Sequence, residues 1–323
     1  MPSTPEKPIV IAHRGASGYL PEHTLEAKAL AFGMGADFLE QDVVATADDE
    51  LVVLHDIHLD RVTDVAVRFP ARHRDDGHFY VRDFKLSELK ALNVHERRNA
   101  DGSPVFPRRF PTSLGRFGIA TLDEELEMVR GLSASSRQTV GIYPEIKAPS
   151  WHLDEGVDLS ALVLDCLDRQ GYRRNTDPVY LQCFDARELR RIRRDLGSEL
   201  KLVQLIDENS TDATDGTDYE RLRSAQGLRE AADYADAIGP ALSQLYVLAE
   251  IDGHPVSTGL VTAARAAGLK VHPYTFRADA LAPGFGSFRE MVDWFAGTLG
   301  VDGFFTDFPN LVLEALDRPG GRR

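Results

Sequence analysis

Histidine, arginine and closely spaced carboxylates are concentrated between Ile11 and Asp56. His13-Arg14 follows one apolar run, Glu40-Gln41-Asp42 interrupts a second, and His55-Asp56 closes a third. Along a strand, residues i and i+2 share a face, so Glu40 and Asp42 point together and Gln41 points away. Two carboxylates on one face repel unless a cation or a shared proton relieves them. An all-oxygen ligand set suits a hard divalent cation, Ca²⁺ or Mg²⁺. Around such an ion, His13 and His55 have the chemistry of acid and base, and Arg14 that of a phosphate ligand. A lone histidine is more often a satisfied core residue. Two of them, ending different strands and flanking a carboxylate pair, indicate a site.

A second constellation follows far along the chain, Tyr143-Pro144-Glu145-Ile146-Lys147. Glu145 and Lys147 share a face and offer a third carboxylate and a cation. They are either an ion pair with a structural role or a ligand beside a phosphate contact; three inward carboxylates are more economical as metal ligands, since an unpaired buried one is costly. Gln182 faces inward with Tyr180 and Phe184, either as an orienting amide or as a satisfied core group. Gly15 and Gly18 permit backbone N–H groups to approach an anion closely. Asp307, just before Pro309, reads as the cap of a helix with proline in its first turn.

The elements that must hold these residues alternate. Strand-like segments are Ile9–Ala12, Phe38–Ala45, Leu51–Leu54, Gly141–Ile146, Val179–Phe184, Lys201–Leu205, Ala237–Ile238, Lys270–Thr275 and Gly303–Thr306. Helical patterns lie between them, for example Glu22–Gly33, Thr121–Gly131, Leu159–Arg169, Ala186–Asp195 and Phe288–Thr298. Such alternation predicts parallel βαβ units, and about eight of them predict an α/β fold of the closed (β/α)₈ barrel type, a TIM barrel. The expected organisation is one catalytic domain, 1–323, interrupted after the second barrel-strand region. The interruption, about 57–118, is charged, aromatic and proline-rich, and is expected to cover the active face. Asp207–Asp218 is expected to be an exposed loop.

Composition narrows the function. The apolar share of 43% is that of a globular protein, and a net charge of −14 disfavours nucleic acid or an anionic membrane as partner. Cys166 and Cys183 read as buried free thiols rather than a disulfide or zinc framework. No segment is long and apolar enough for stable membrane insertion. MPSTPEKPIV shows no signal peptide, so the expected location is cytoplasmic as written, or periplasmic or extracellular for a trimmed mature form.

Taken in order, HRGASGYLPEHT, EQD, LVVLHD, YPEIKAP, LQCFDA, VHPYT and GFFTDFP make the chain resemble the glycerophosphodiester phosphodiesterase family, in particular its bacterial periplasmic-type branch. The likeness extends from Ile9 to Leu316. It implies a TIM barrel hydrolysing glycerophosphodiesters, such as glycerophosphocholine and glycerophosphoethanolamine, to sn-glycerol 3-phosphate and an alcohol. It implies His13 and His55 as the acid/base pair, and Glu40, Asp42 and Glu145 as ligands of one divalent cation. That cation is Ca²⁺ for this branch, with Mg²⁺ as the alternative. Arg14 then contacts the phosphate, with Lys147 nearby. His23 stands where many relatives have asparagine. Two rival readings are a metal-dependent sugar-phosphate aldolase or isomerase, which the paired histidines fit less well, and a non-catalytic phosphodiester-binding barrel, which would not need all five positions filled.

Overall fold

The computed structural model describes residues 7–209, 216–251 and 253–318. Residues 1–6 and residues 210–215 of the expected Asp207–Asp218 loop lie outside them. The described residues form eleven strands: β1 (Ile9–Ala12), β2 (Phe38–Ala45), β3 (Leu51–Val53), β4 (Gly141–Ile146), β5 (Tyr180–Cys183), β6 (Lys201–Ile206), β7 (Ala237–Pro240), β8 (Tyr246–Leu248), β9 (Pro255–Ser257), β10 (Lys270–Val271) and β11 (Gly303–Thr306). Eight lie side by side in the order β10-β7-β6-β5-β4-β2-β1-β11, all parallel. Backbone bonds from Asp302 N to Val271 O (2.9 Å) and from Phe276 N to Phe305 O (2.8 Å) join the two ends. The sheet is therefore a nearly closed barrel with helices around it. Ile11, Tyr143, Tyr180, Val203, Ala237 and Phe305 pack together inside it.

Local chemistry sets the helix ends. Thr24 accepts a bond from Ala27 N and starts the helix Leu25–Met34, which Gly35 ends in the left-handed region at φ 97. The start falls later than Glu22 because His23 itself is left-handed (φ 61) and cannot begin a helix. Thr121 and Glu124 form a reciprocal capping box on Leu122–Ser136. Asp185 accepts from the N–H groups of Arg187 and Glu188 at the start of Ala186–Arg194.

Three expectations are corrected. Leu51–Leu54 is not a barrel strand: β3 runs antiparallel to β2, with Val43 opposite Val53. The turn at Thr46–Glu50, with Asp49 at φ 60, is too short for the crossover that a parallel neighbour needs. The strand expected at Lys270–Thr275 is regular only over Lys270–Val271, although His272 N and Tyr274 N still donate to Ile238 O and Pro240 O beside β7. Asp307 does not cap the helix Pro309–Ala315; Thr306 Oγ1 accepts from Phe308 N instead, and the Asp307 carboxylate turns inward. The antiparallel β8–β9 hairpin was not foreseen.

The inserted segment also buttresses the barrel. Leu59, Val62, Val65, Phe79, Val81, Phe84, Leu89 and Val94 are buried, and they pack with Val44 and Val52 of β2 and β3 as a second apolar cluster. Each such side chain contributes roughly 1.5–3 kcal/mol through burial. From this anchored base the segment sends Arg97 and Arg109 to the C-terminal face of the barrel.

Candidate active site

Parallel register brings the three carboxylates together. Asp42 on β2 lies beside Glu145 on β4, and Glu145 beside Gln182 on β5. Glu40 sits two residues below Asp42 on the same face. Ligand oxygens of Glu40, Asp42 and Glu145 lie within 4.8 Å of one another, all buried. Oxygen–Ca²⁺ bonds of about 2.3–2.6 Å would span such a set. Two buried oxygens in this row, Asp42 Oδ1 and Gln182 Oε1, meet no donor among the described residues, as expected of oxygens that would face a cation. The cluster can thus hold a metal ion. Burial, then the charge of Asp42, pushes Glu40 well above the usual carboxylate range. Burial lifts Glu145 to about 8 against the opposing pull of Lys147. Burial also pushes Asp42 upward, but His23 and Lys147 outweigh it and hold Asp42 well below the usual range.

Each histidine is held by an aspartate, and each aspartate by an arginine of the insertion. His13 Nδ1 donates to Asp307 Oδ1 at 2.5 Å; Asp307 Oδ2 accepts from Arg109 Nη2 at 2.6 Å and from Arg277 Nε at 2.8 Å. His55 Nδ1 donates to Asp56 Oδ1 at 2.5 Å, and Asp56 Oδ2 accepts from Arg97 Nη1 at 2.5 Å. A carboxylate can only accept, so both rings keep the proton on Nδ1 and leave Nε2 as a lone pair. His13 Nε2 lies 3.9 Å from Glu40 Oε2, on the side of the carboxylate cluster. Burial and the charge of Arg14 lower His13 to about 4. Burial, Arg14 and Lys147 lower His55 to about 3. Both are neutral near pH 7 and able to accept a proton.

Arg14 lies at the hub. Its residue is left-handed (φ 59), which turns its N–H onto Glu40 Oε2 at 2.7 Å. Its guanidinium donates to Glu22 Oε1 at 3.0 Å and stands 3.6 Å from Asp42. Lys147 donates to Glu145 at 2.6 Å, and Gln182 Nε2 donates to Glu40 at 3.0 Å. His23 donates from Nε2 to Asp42 at 2.6 Å, locking the orientation of that carboxylate. Gly15 and Gly18 do not present N–H groups to an anion, for theirs go to Ala12 O and Asp307 O. Gly15 is required by its positive φ (88) and by Ala27, whose carbonyl carbon would lie 2.8 Å from a Cβ there. The site opens into two adjoining cavities. One, about 430 Å³, contains all three carboxylates and is walled by Phe184, Leu205, Leu242, Tyr246 and Tyr274. The other, about 280 Å³, lies on the insertion side. His13, Arg14, His55 and Arg277 face both.

Residues 13–311 match the model of the glycerophosphoryl diester phosphodiesterase family. The chain belongs to that family. Glycerophosphodiester phosphodiesterase of Haemophilus influenzae is 44% identical over 95% of this chain and 89% of its own length. The enzyme of that name from Treponema pallidum is 38% identical over 96% and 92%. A solved structure from Silicibacter pomeroyi superimposes with TM-score 0.71 at 26% identity, covering 97% of this chain and 94% of that one. A phosphodiesterase from Oleispira antarctica, solved with sn-glycerol 3-phosphate, shares the fold with TM-score 0.64 at 23% identity, covering 96% of this chain and 97% of that one.

In this family member, sequence reasoning missed Asp307, Arg97 and Arg109 as partners of the site. The signal for Asp307 was present: β11 neighbours β1, and Asp307 follows β11 as His13 follows β1, so parallel pairing sets them side by side. For the two arginines no periodicity pointed inward, because the insertion obeys no barrel register.

Proposed function

We propose that this protein hydrolyses glycerophosphodiesters to sn-glycerol 3-phosphate and an alcohol, with His13 and His55 as the proton-transfer pair. The observation that carries this reading is the pair of histidines whose Nδ1 atoms are held by aspartates and whose Nε2 atoms are left for substrate, set beside three clustered carboxylates and Arg14. One histidine removes the proton of the glycerol 2-hydroxyl, whose oxygen attacks phosphorus. The bond from phosphorus to the departing alcohol oxygen breaks, and the other histidine, which carries a second proton on Nε2 once the anionic substrate is bound, gives that proton to the oxygen. A cyclic glycerol phosphate and free alcohol result. Water then opens the ring with the roles reversed, returning a proton to O2. Each transfer contributes roughly 10²–10⁴-fold, and attack by a hydroxyl already beside the phosphorus adds the advantage of proximity.

A substrate phosphate between the rings opposes their low proton affinity, since a nearby anion favours imidazolium. Arg14 contacts the phosphoryl oxygens and Lys147 adds positive charge nearby. Gln182, bonded to Glu40, keeps that carboxylate turned toward its two neighbours. A divalent cation among Glu40, Asp42 and Glu145, Ca²⁺ with Mg²⁺ as the alternative, supplies positive charge that stabilises the charge developing on the phosphate. The experiment is release of sn-glycerol 3-phosphate from glycerophosphocholine with and without chelator. Product that requires divalent cation supports the reading, and no product under any metal condition refutes it.

A further inference from the structure

The smaller cavity has a chemistry that the reaction just described does not use. It is lined by five arginines, Arg14, Arg61, Arg97, Arg109 and Arg277, against three carboxylates, Glu22, Asp56 and Asp307, and by none of the three clustered metal-site carboxylates. Two of its arginines have donors to spare. Arg277 bonds Asp307 through Nε alone, and Arg61 bonds Arg98 O through Nε alone, so the Nη groups of both have no hydrogen-bond partner among the described residues. Arg97 and Arg109 are engaged by Glu22, Asp56, Asp279 and Asp307, which fixes the walls and leaves the Nη groups of Arg61 and Arg277 as the donors open to a ligand. The larger cavity is the opposite in character, with three carboxylates and an apolar, aromatic wall. A phosphodiester straddling His13 and His55 must send one arm into each.

We infer that the insertion-side cavity is the subsite for the alcohol arm of the substrate, and that it selects arms carrying a second anionic group, a phosphate or carboxylate. This rests on the proposed hydrolysis of glycerophosphodiesters. The neutral glycerol arm takes the larger cavity, where hydroxyls meet oxygen ligands and the carbon skeleton meets rings. An anionic arm is repelled there and attracted to guanidinium forks on the other side. The cavity of about 280 Å³ accommodates an arm of several heavy atoms, such as a phosphorylated glycerol. The inserted segment thereby acquires a role in specificity, since Arg61, Arg97, Val105, Phe106 and Arg109 of this lining all come from it.

The test compares two diesters that differ only at the far end of the alcohol arm: glycerophosphoglycerol, and the same compound with a terminal phosphate. Wild-type protein with divalent cation should show kcat/KM roughly tenfold higher for the phosphorylated arm, about the effect of one charge-assisted contact. Arg61→Gln should reduce that preference at least threefold by slowing the phosphorylated diester more than glycerophosphoglycerol, because Arg61 is exposed and its Nη groups are open to the far end of the arm. Equal kcat/KM for the two diesters, or a preference that Arg61→Gln leaves intact, overturns the subsite. Equal slowing of both substrates by Arg61→Gln overturns it too. Turnover of neither diester by the wild type refutes the proposed function itself, whereas turnover of both without discrimination refutes only this inference.

Discussion

Replacing Asp307 by asparagine tests the His13 relay while nearly preserving volume. Asp307 is 1% exposed and gives His13, Arg109 and Arg277 a common anion at 2.5, 2.6 and 2.8 Å. Breaking a buried pair in this way costs about 3–5 kcal/mol. The lower end applies here, since Arg109 keeps Asp279 at 2.8 Å and Arg277 is part-exposed. The catalytic cost is separate. The asparagine can turn either its oxygen or its NH₂ to Nδ1, and with NH₂ there the proton moves to Nε2, where it blocks the base. The expected loss in kcat is 10²–10⁴-fold, about 2.7–5.4 kcal/mol of barrel-face proton transfer, with KM much less affected. Acid should not rescue it. Asp307 raises the proton affinity of His13, so its removal pushes the ring further below about 4 and leaves it neutral from pH 7 to pH 5. The assay is kcat and KM on glycerophosphocholine across that range, with thermal unfolding measured in parallel. A folded variant whose kcat stays within threefold of wild type would falsify the relay.

Metal binding should release protons. Glu145 is raised to about 8 and Glu40 well above its usual range, so at pH 7 the metal-free site holds protons that a cation must displace; affinity should climb as pH rises from 6 to 8. Calorimetric titration in two buffers of different ionisation enthalpy measures this, and an identical heat in both contradicts it. Removing the 2-hydroxyl of the substrate should slow turnover by far more than a change of alcohol arm does; equal rates for the 2-deoxy analogue point to direct attack by water. Away from the site, Lys28→Met should cost about 3–5 kcal/mol of unfolding free energy, because Lys28 Nζ donates to both oxygens of Glu125 at 2.8 Å with both side chains fully buried. Denaturant unfolding checks it, and a loss under about 1 kcal/mol assigns the pair no net structural weight.

What was legible in the sequence was whatever obeys strand periodicity. Glu40 and Asp42 share a face because they are two apart on one strand, and Glu145 joins them because parallel register sets it beside Asp42. The alternation of elements likewise announced the barrel. Tertiary choices were harder to read. Leu51–Leu54 is as apolar as its barrel neighbours, and only the short turn at Thr46–Glu50 marks it as the return arm of a hairpin. Asp307 looked like a helix cap because aspartate before proline usually is one. Its carboxylate instead faces a histidine and two guanidiniums, a far stronger set of partners than a backbone N–H. Arg97 and Arg109 sit in an irregular segment where neighbours in sequence say nothing about neighbours in space.

The claim on which the account stands is that His13 and His55 divide the proton transfers between them. The direct measurement is the rate of His13→Ala and His55→Ala on glycerophosphocholine and on a glycerophosphodiester of p-nitrophenol, whose phenolate departs without needing a proton. Both variants should lose at least 10²-fold on the choline ester. On the phenyl ester, one should regain most of its rate, identifying the residue that protonates the departing alcohol, while the other stays impaired. Equal recovery of both, or near-parental rates of either on glycerophosphocholine, contradicts the division of labour.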